Sequence, residues 1–272
     1  VRRRMLYLHG LGHFHPENVI NNKFLEDLDI GTNDEWIVSR VGIRERRTVL
    51  PLDYIKATKN KDLRGAQEAN LYTNAETGRR AALMAIERAG IQPSDIGMVI
   101  AGDSSPDNCI PPEASTIAKA LGIEVPAIDF ATACSTFGAH MHFVSSMASA
   151  LPEWVLCVVP ENTTRVTDFS DRSSAILFGD ATAAAVVSSK VPSKIRLTHS
   201  MFGGAPSGAY DVHIPRLGHF RQNGSAVQKF AIKKMSELLR DAMGRVDRAE
   251  RLIYVGHQAN LTMLEAVVRR CE

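Results

Sequence analysis

The sequence predicts an α/β fold built as two related halves. Short, nearly continuous apolar runs alternate with helical patterns, and one helix–link–strand order occurs twice. MLYLHGL (5–11), GMVIAG (97–102), PAIDFA (126–131), WVLCVVP (154–160) and AAAVVS (183–188) read as strands. Runs this apolar fit strands covered by helices on both faces, and the alternation predicts a largely parallel sheet. The helix over 75–89 is the clearest: Thr73 is placed to cap it, Glu76 completes a capping box, and Gly90 then Pro93 stop it. A second helix is predicted over 112–121, ended by Gly122, and a third begins near Ser135 or Thr136.

The repeat is AALMAIERAG-IQPSDIGMVIAGDSS (81–105) against MSELLRDAMG-RVDRAERLIYVGHQAN (235–260). MLYLHGLG (5–12) and KIRLTHSMFGG (194–204) are then the opening strands of the two copies, which puts a first half at 1–190 and a second at 191–272. The second half reads as incomplete, because only one helical stretch follows Asn260. The polar segment 53–72 reads as a surface insertion.

The 272 residues are 44% hydrophobic and 23% charged, ordinary for a soluble protein, with a net charge of +2. That balance gives no reason to expect nucleic-acid or membrane binding. The start, VRRRMLYLHGLGHF, is basic and then apolar, but His9, Gly10, Gly12 and His13 break it as a secretory signal. Four separate cysteines show no zinc-type spacing, so no metal is expected and the thiols read as reduced, in a cytoplasmic protein. His9, His13 and His15 lack acidic partners nearby in sequence, and His140 and His142 fall on different faces of their helix.

Cys134 lies in DFATACSTFG (129–138), between a strand and a helix start. A helix N-terminus favours a thiolate, which would make it a nucleophile; the alternative is a small packing residue. His257, in VGHQAN (255–260), follows the apolar run RLIYV and precedes a helix. At strand ends of two facing halves it could meet the thiol or a developing oxyanion, or simply bond nearby backbone.

Taken in order, several motifs resemble the β-ketoacyl-ACP synthase III family of the thiolase superfamily. They are DEWIVSRVGIRERR (34–47), SSPDNCIPPEASTIAKALG (104–122), DFATACSTF around Cys134, RVTDFSDRSSAILFGD (165–180), FGDATAA (178–184), NGSAVQKFA (223–231) and GHQAN around His257. The resemblance implies a thiolase-like fold, with two α/β halves and mixed sheets layered αβαβα. It implies that an acyl-CoA acylates Cys134 and that malonyl-ACP then condenses with loss of CO₂, in fatty-acid or related biosynthesis. His257 would donate to the thioester oxygen, and the backbone N–H of Cys134 would help hold the oxyanion. Trp36, Arg40 and Arg165 would contact CoA, and Ile110 would line the acyl pocket. Lys229 and Lys233, with Arg221 and Lys234, would face an acidic carrier protein. No cofactor is implied beyond the CoA thioester as substrate, and the working form would be a homodimer.

The chain departs from that pattern at four points. The family's third catalytic residue, an Asn, is not in this sequence; Asn260 belongs to the His-Gln-Ala-Asn motif itself. Thr262 stands where some members carry Arg, Ala181 where Gly is usual, and Ile110 where some members place a Phe that closes the partner's acyl pocket. Ile110 suggests room for a longer or branched acyl group. Two other functions fit the sequence: acyl transfer to another acceptor, and a non-catalytic ketosynthase-like partner. A Cys–His protease has only the two residues in its favour.

Overall fold

The computed structural model describes residues 5–147, 150–246 and 251–272. The basic start at 1–4 and the link at 247–250 inside the repeat therefore lie outside the described residues.

A six-stranded sheet organises the chain. It comprises β1 (Leu6–Phe14), β4 (Met98–Ala101), β5 (Ala127–Asp129), β6 (Val155–Glu161), β7 (Ala181–Ser188) and β8 (Ile195–Leu197), in the order β5-β4-β6-β7-β1-β8. β2 (Asn18–Asn21) and β3 (Glu45–Thr48) form a separate antiparallel pair. So do β9 (Val212–His213) and β10 (Arg221–Gln222). Only β5-β4 and β4-β6 are parallel; β6-β7, β7-β1 and β1-β8 are antiparallel. The sheet is therefore mixed, which corrects the largely parallel expectation. β7 returns from β6 without a covering helix between their core faces, so it pairs antiparallel.

The predicted helices form where their signals stand. In α5 (Asn74–Ala89), Thr73 and Glu76 make the reciprocal capping box, and Gly90 closes it at φ 72°. α6 (Glu113–Leu121) ends on Gly122 at φ 72°. These two cover one face of the sheet, where Ala81, Ala85, Ile86 and Ile117 pack on Val99, Leu156, Val158 and Val186. α7 (Thr136–Met147) covers the other, with Val144 against Ile100, Cys157 and Val187. Covered on both faces, these strands had to be apolar throughout.

β1 continues beyond its apolar run because α5 lies directly upon it. A Cβ on Gly10 would sit 2.0 Å from the Ala85 carbonyl oxygen, and one on Gly12 1.9 Å from that of Ala81. The glycines are the contact surface.

A second core joins α1 (Asn22–Asp27), α2 (Asp34–Val41), α3 (Leu52–Thr58), α4 (Leu63–Ala69) and α8 (Arg172–Ala175), through Phe24, Leu25, Ile37, Ile55, Ala66 and Phe169. The segment 53–72 is thus not a surface insertion. Ile55, Asn60 and Ala66 are fully buried, and the Asn60 amide donates to the carbonyls of Thr164, Arg165 and Thr167.

The second half departs most from expectation. KIRLTH does not open a new sheet: β8 pairs with β1, Leu6 beside Leu197, so the first sheet runs past residue 190. RLIYV is not a strand, since no described strand lies beside it to share hydrogen bonds. What forms there is α9 (Gly224–Met243) packed on α10 (Leu261–Cys271).

Gly12→Ala should push β1 from α5 and lower the urea unfolding midpoint by the equivalent of about 1–3 kcal/mol. Gly138→Ala, inside α7 with nothing within 4 Å of its added carbon, should leave the midpoint unchanged or raise it.

Candidate active site

Three neighbouring parallel strands, β5, β4 and β6, bring their carboxyl ends to one edge, with Ala101 beside both Asp129 and Val158. Ligand sites of open α/β sheets gather at such edges. Phe130 N–H closes onto the Ala101 carbonyl at 2.7 Å. Gly102 has no room for a side chain, since a Cβ there would meet the Phe130 carbonyl oxygen at 2.5 Å. The chain then turns through Ala133–Ser135, with Ala133 at φ 50°. A non-glycine residue in that region costs about 1–2 kcal/mol. The turn is held by hydrogen bonds from Thr132 N–H to Thr136 Oγ1 (2.9 Å), from that hydroxyl to Ala133 O (2.8 Å), and from Ser135 Oγ to Thr132 O (2.9 Å). The His140 ring reaches the Phe130 carbonyl at 2.8 Å.

This turn presents Cys134 at the surface, two residues before α7 begins. Its thiol is nevertheless pushed up from its ordinary value, by the low polarity of its surroundings and then by the Glu161 carboxylate. Its own backbone N–H pulls the other way and is outweighed. The expected lowering by the helix end is thereby corrected: the resting group is a thiol.

His257 lies in the irregular stretch before α10, which Asn260 caps by accepting from Met263 N–H at 2.8 Å. Its pKa is lowered by loss of hydration, so the imidazole is neutral at pH 7. Among the described residues no hydrogen bond joins it to Cys134. α10 leans on the end of α2: a Cβ on Gly42 would meet Leu261 at 2.8 Å, and Thr262 Oγ1 donates to Arg40 O at 3.4 Å. On α2 itself, the half-buried Trp36 ring meets two guanidinium groups, Arg40 at 5.3 Å and Arg172 at 4.8 Å from its centroid. Arg172 also donates to Gly31 O at 2.7 Å. Sequence reading missed Arg172, which sits 136 positions away from Trp36 with no local signal to pair them.

Comparison with known proteins decides the family. A model of 3-oxoacyl-[acyl-carrier-protein] synthase III matches residues 128–205. A β-ketoacyl-[acyl-carrier-protein] synthase III of Oceanobacillus iheyensis is 32% identical over 268 residues, covering 96% of this chain and 78% of that one. One from Staphylococcus saprophyticus is also 32% identical, over 266 residues, with 96% and 78% covered. The chain belongs to the β-ketoacyl-ACP synthase III family. The solved synthase III of Aquifex aeolicus superposes with a TM-score of 0.85 at 27% identity, covering 98% of this chain and 80% of that one. The Pseudomonas aeruginosa enzyme gives 0.83 at 28%, with 98% and 80% covered. The fold is thiolase-like and the family is one of condensing acyltransferases.

Within this ketosynthase family member, the remaining expected residues fall in different places. Arg165 is a correction. It is 3% exposed, and its guanidinium is spent on Asp107, Asn74 Oδ1 (2.9 Å), Ser105 O (2.6 Å), Asn162 O (3.2 Å) and Gln67 (3.3 Å). It braces the protein from within and offers CoA no free face. Asp180 of FGDATAA is also internal: it accepts from Val49 N–H (2.7 Å), Thr164 N–H (2.8 Å) and the Thr164 hydroxyl, and burial pushes it up to about 6. Ile110 is 84% exposed. Lys229 and Lys233 line, with Gln228 and Arg270, a surface cavity of about 310 Å³, while Lys234 pairs with Glu237 at 2.7 Å. Arg221 borders a separate cavity with Asp168, Asp171 and His219. His9 bonds the Val191 carbonyl at 3.0 Å.

Around Arg165 lie carboxyl groups that sequence reading did not single out. The Asn74 amide donates to Asp103, and Glu113 accepts from Asp107 N–H at 2.9 Å. Burial, reinforced by the neighbouring acids, pushes Asp103 up to about 8 and Glu113 up to about 7. Unfolded, they titrate at about 3.8 and 4.5. Between those values and about 8 the native state binds more protons, so stability is greatest at low pH and falls as pH rises. The urea midpoint should drop between about pH 5.5 and about pH 8.5. Asp103→Asn with Glu113→Gln should flatten that slope.

Proposed function

We propose that Cys134 takes an acyl group from acyl-CoA and passes it to malonyl-ACP by decarboxylative condensation. The observation that carries this reading is an exposed cysteine on a strained turn, at the shared edge of three strands and the start of a helix, in a chain of this family. The Cys134 sulfur attacks the thioester carbonyl and CoA leaves as its thiol, carrying the proton. Malonyl-ACP loses CO₂, and the resulting carbanion attacks the acyl-cysteine. The new carbon–carbon bond yields β-ketoacyl-ACP and the cysteine sulfur is released. His257, neutral, donates to the malonyl thioester oxygen where charge develops, and the Cys134 N–H contributes to an oxyanion hole during acyl transfer. The thioesters arrive already activated, so the reaction calls for no metal or redox cofactor.

Trp36 offers CoA a flat face for its base, and Arg40 and Arg172 offer cations for its phosphates. Lys229 and Lys233, with Arg270 beside them, face the acidic carrier protein. The working form is a homodimer. β5 is an edge strand of the sheet with Ile128 50% exposed, and Ile110 stands exposed on the loop before α6, where it would meet the acyl pocket of a second copy. Among the described residues no helix is long and apolar enough to cross a membrane, and the enzyme would work in the cytoplasm.

Intact mass after incubation with butyryl-CoA should show one acyl adduct, lost in Cys134→Ala. An unmodified wild-type protein would overturn the reading. Ile110→Phe should narrow the acyl pocket and cut the rate with branched or longer chains by about tenfold relative to acetyl-CoA, read as competing adducts.

A further inference from the structure

The strand edge holds one acidic side chain that the condensation leaves idle. Val158 pairs with Ala101, and Ala101 with Asp129. Gly102, which follows Ala101, donates its N–H to Val158 O at 3.3 Å, and a Cβ on it would lie 2.9 Å from the methyl of Thr136, two residues past Cys134. Glu161 is the last residue of β6, three positions past Val158, at the same end of the sheet as the Cys134 turn. Its carboxylate is fixed there: Ser104 Oγ donates to Oε1 at 2.9 Å and Thr163 Oγ1 to Oε2 at 3.2 Å. The Ser104 backbone N–H reaches it as well, and a carboxylate accepts up to about four hydrogen bonds, so some acceptor capacity remains. Asp103, its acidic neighbour, is turned to the Asn74 amide instead.

Glu161 is near enough to Cys134 to act on the thiol's charge, yet no hydrogen bond joins them among the described residues. An acyl group on the sulfur would begin at this same strand edge. A plain alkyl chain there would strip water from the carboxylate and return nothing. A hydroxyl or an ammonium would replace that water.

We propose that the acyl group this site accepts carries a hydrogen-bond donor, a hydroxyl or an ammonium, within a few carbons of its thioester, and that Glu161 receives it. The inference rests on the acylation of Cys134 proposed above. The same charge opposes acyl groups that end in a carboxylate.

Three CoA thioesters of equal length separate the cases: 3-hydroxypropionyl, 3-aminopropionyl and butyryl. Rates of Cys134 adduct formation are followed by intact mass. In the wild type, at least one donor-bearing group should react faster than butyryl by about tenfold or more, as expected for a hydrogen bond to a charged group. Glu161→Gln keeps an acceptor without the charge, so an ammonium advantage should vanish and a hydroxyl advantage persist in part. In Glu161→Ala both ratios should approach one. Equal wild-type rates for all three thioesters, or a preference that survives in Glu161→Ala, would overturn the inference while leaving acylation standing. A parallel fall of all three rates, with unchanged ratios, would show Glu161 to be a brace for the Ser104 loop. No adduct from any thioester would refute the acylation itself, and the inference with it.

Discussion

The architecture of the site hangs on one buried cation. Arg165 follows β6 and reaches α4 through Gln67, α5 through Asn74, and the loop after β4 through Ser105 and Asp107. That loop leads into α6, whose first two N–H groups are held at 2.8 Å by Asp129, the last residue of β5. Cys134 stands five positions beyond Asp129. One guanidinium thus sets the relative heights of the strand ends that frame the nucleophile. It does so beside Asp107 and among Asp103, Glu113 and Glu161, three carboxyl groups whose pKa values rise largely through burial. Removing a buried charge from such a set costs about 3–5 kcal/mol, because the remaining partners stay buried without it.

The fold was legible wherever a side chain's own character decided its fate. β4, β6 and β7 are apolar because both faces are covered, and α5 carries its cap, its stop and its buried stripe in local sequence. Reading failed where pairing is non-local. Nothing in KIRLTH says that β1 offers it a free edge, and nothing in RLIYV says that no strand will stand beside it. The segment 53–72 misled for another reason. Hydropathy counts Asn60 as surface, whereas its amide is buried against three carbonyls of the turn that carries Arg165.

The site divides along the same line. Cys134, His257 and Trp36 sit in motifs whose order along the chain identified the family. Arg165 lies in the same motifs yet points inward, since a guanidinium's role depends on what faces it: Asp107 and Asn74 face Arg165, and the Trp36 ring faces Arg172. The acids that tune the site share no sequence pattern, because they meet only when three strands end together.

The state of the thiol follows from that meeting. A helix end contributes about 0.3–1 kcal/mol toward the thiolate, and one pKa unit is about 1.4 kcal/mol. Loss of hydration and the Glu161 carboxylate both oppose ionisation, and their sum prevails. At rest the site therefore holds a protonated sulfur beside a carboxylate, with a neutral imidazole on the chain segment ahead of α10. A nucleophile of this kind is quiet toward passing electrophiles, since thiolates react and thiols do not. It becomes competent when a bound thioester brings a group that can take its proton as the carbon–sulfur bond forms. The carboxylate that suppresses the free thiolate is itself already drawn partly out of water by burial, so what an acyl chain presents to Glu161 bears on whether the acylated state is opposed or favoured.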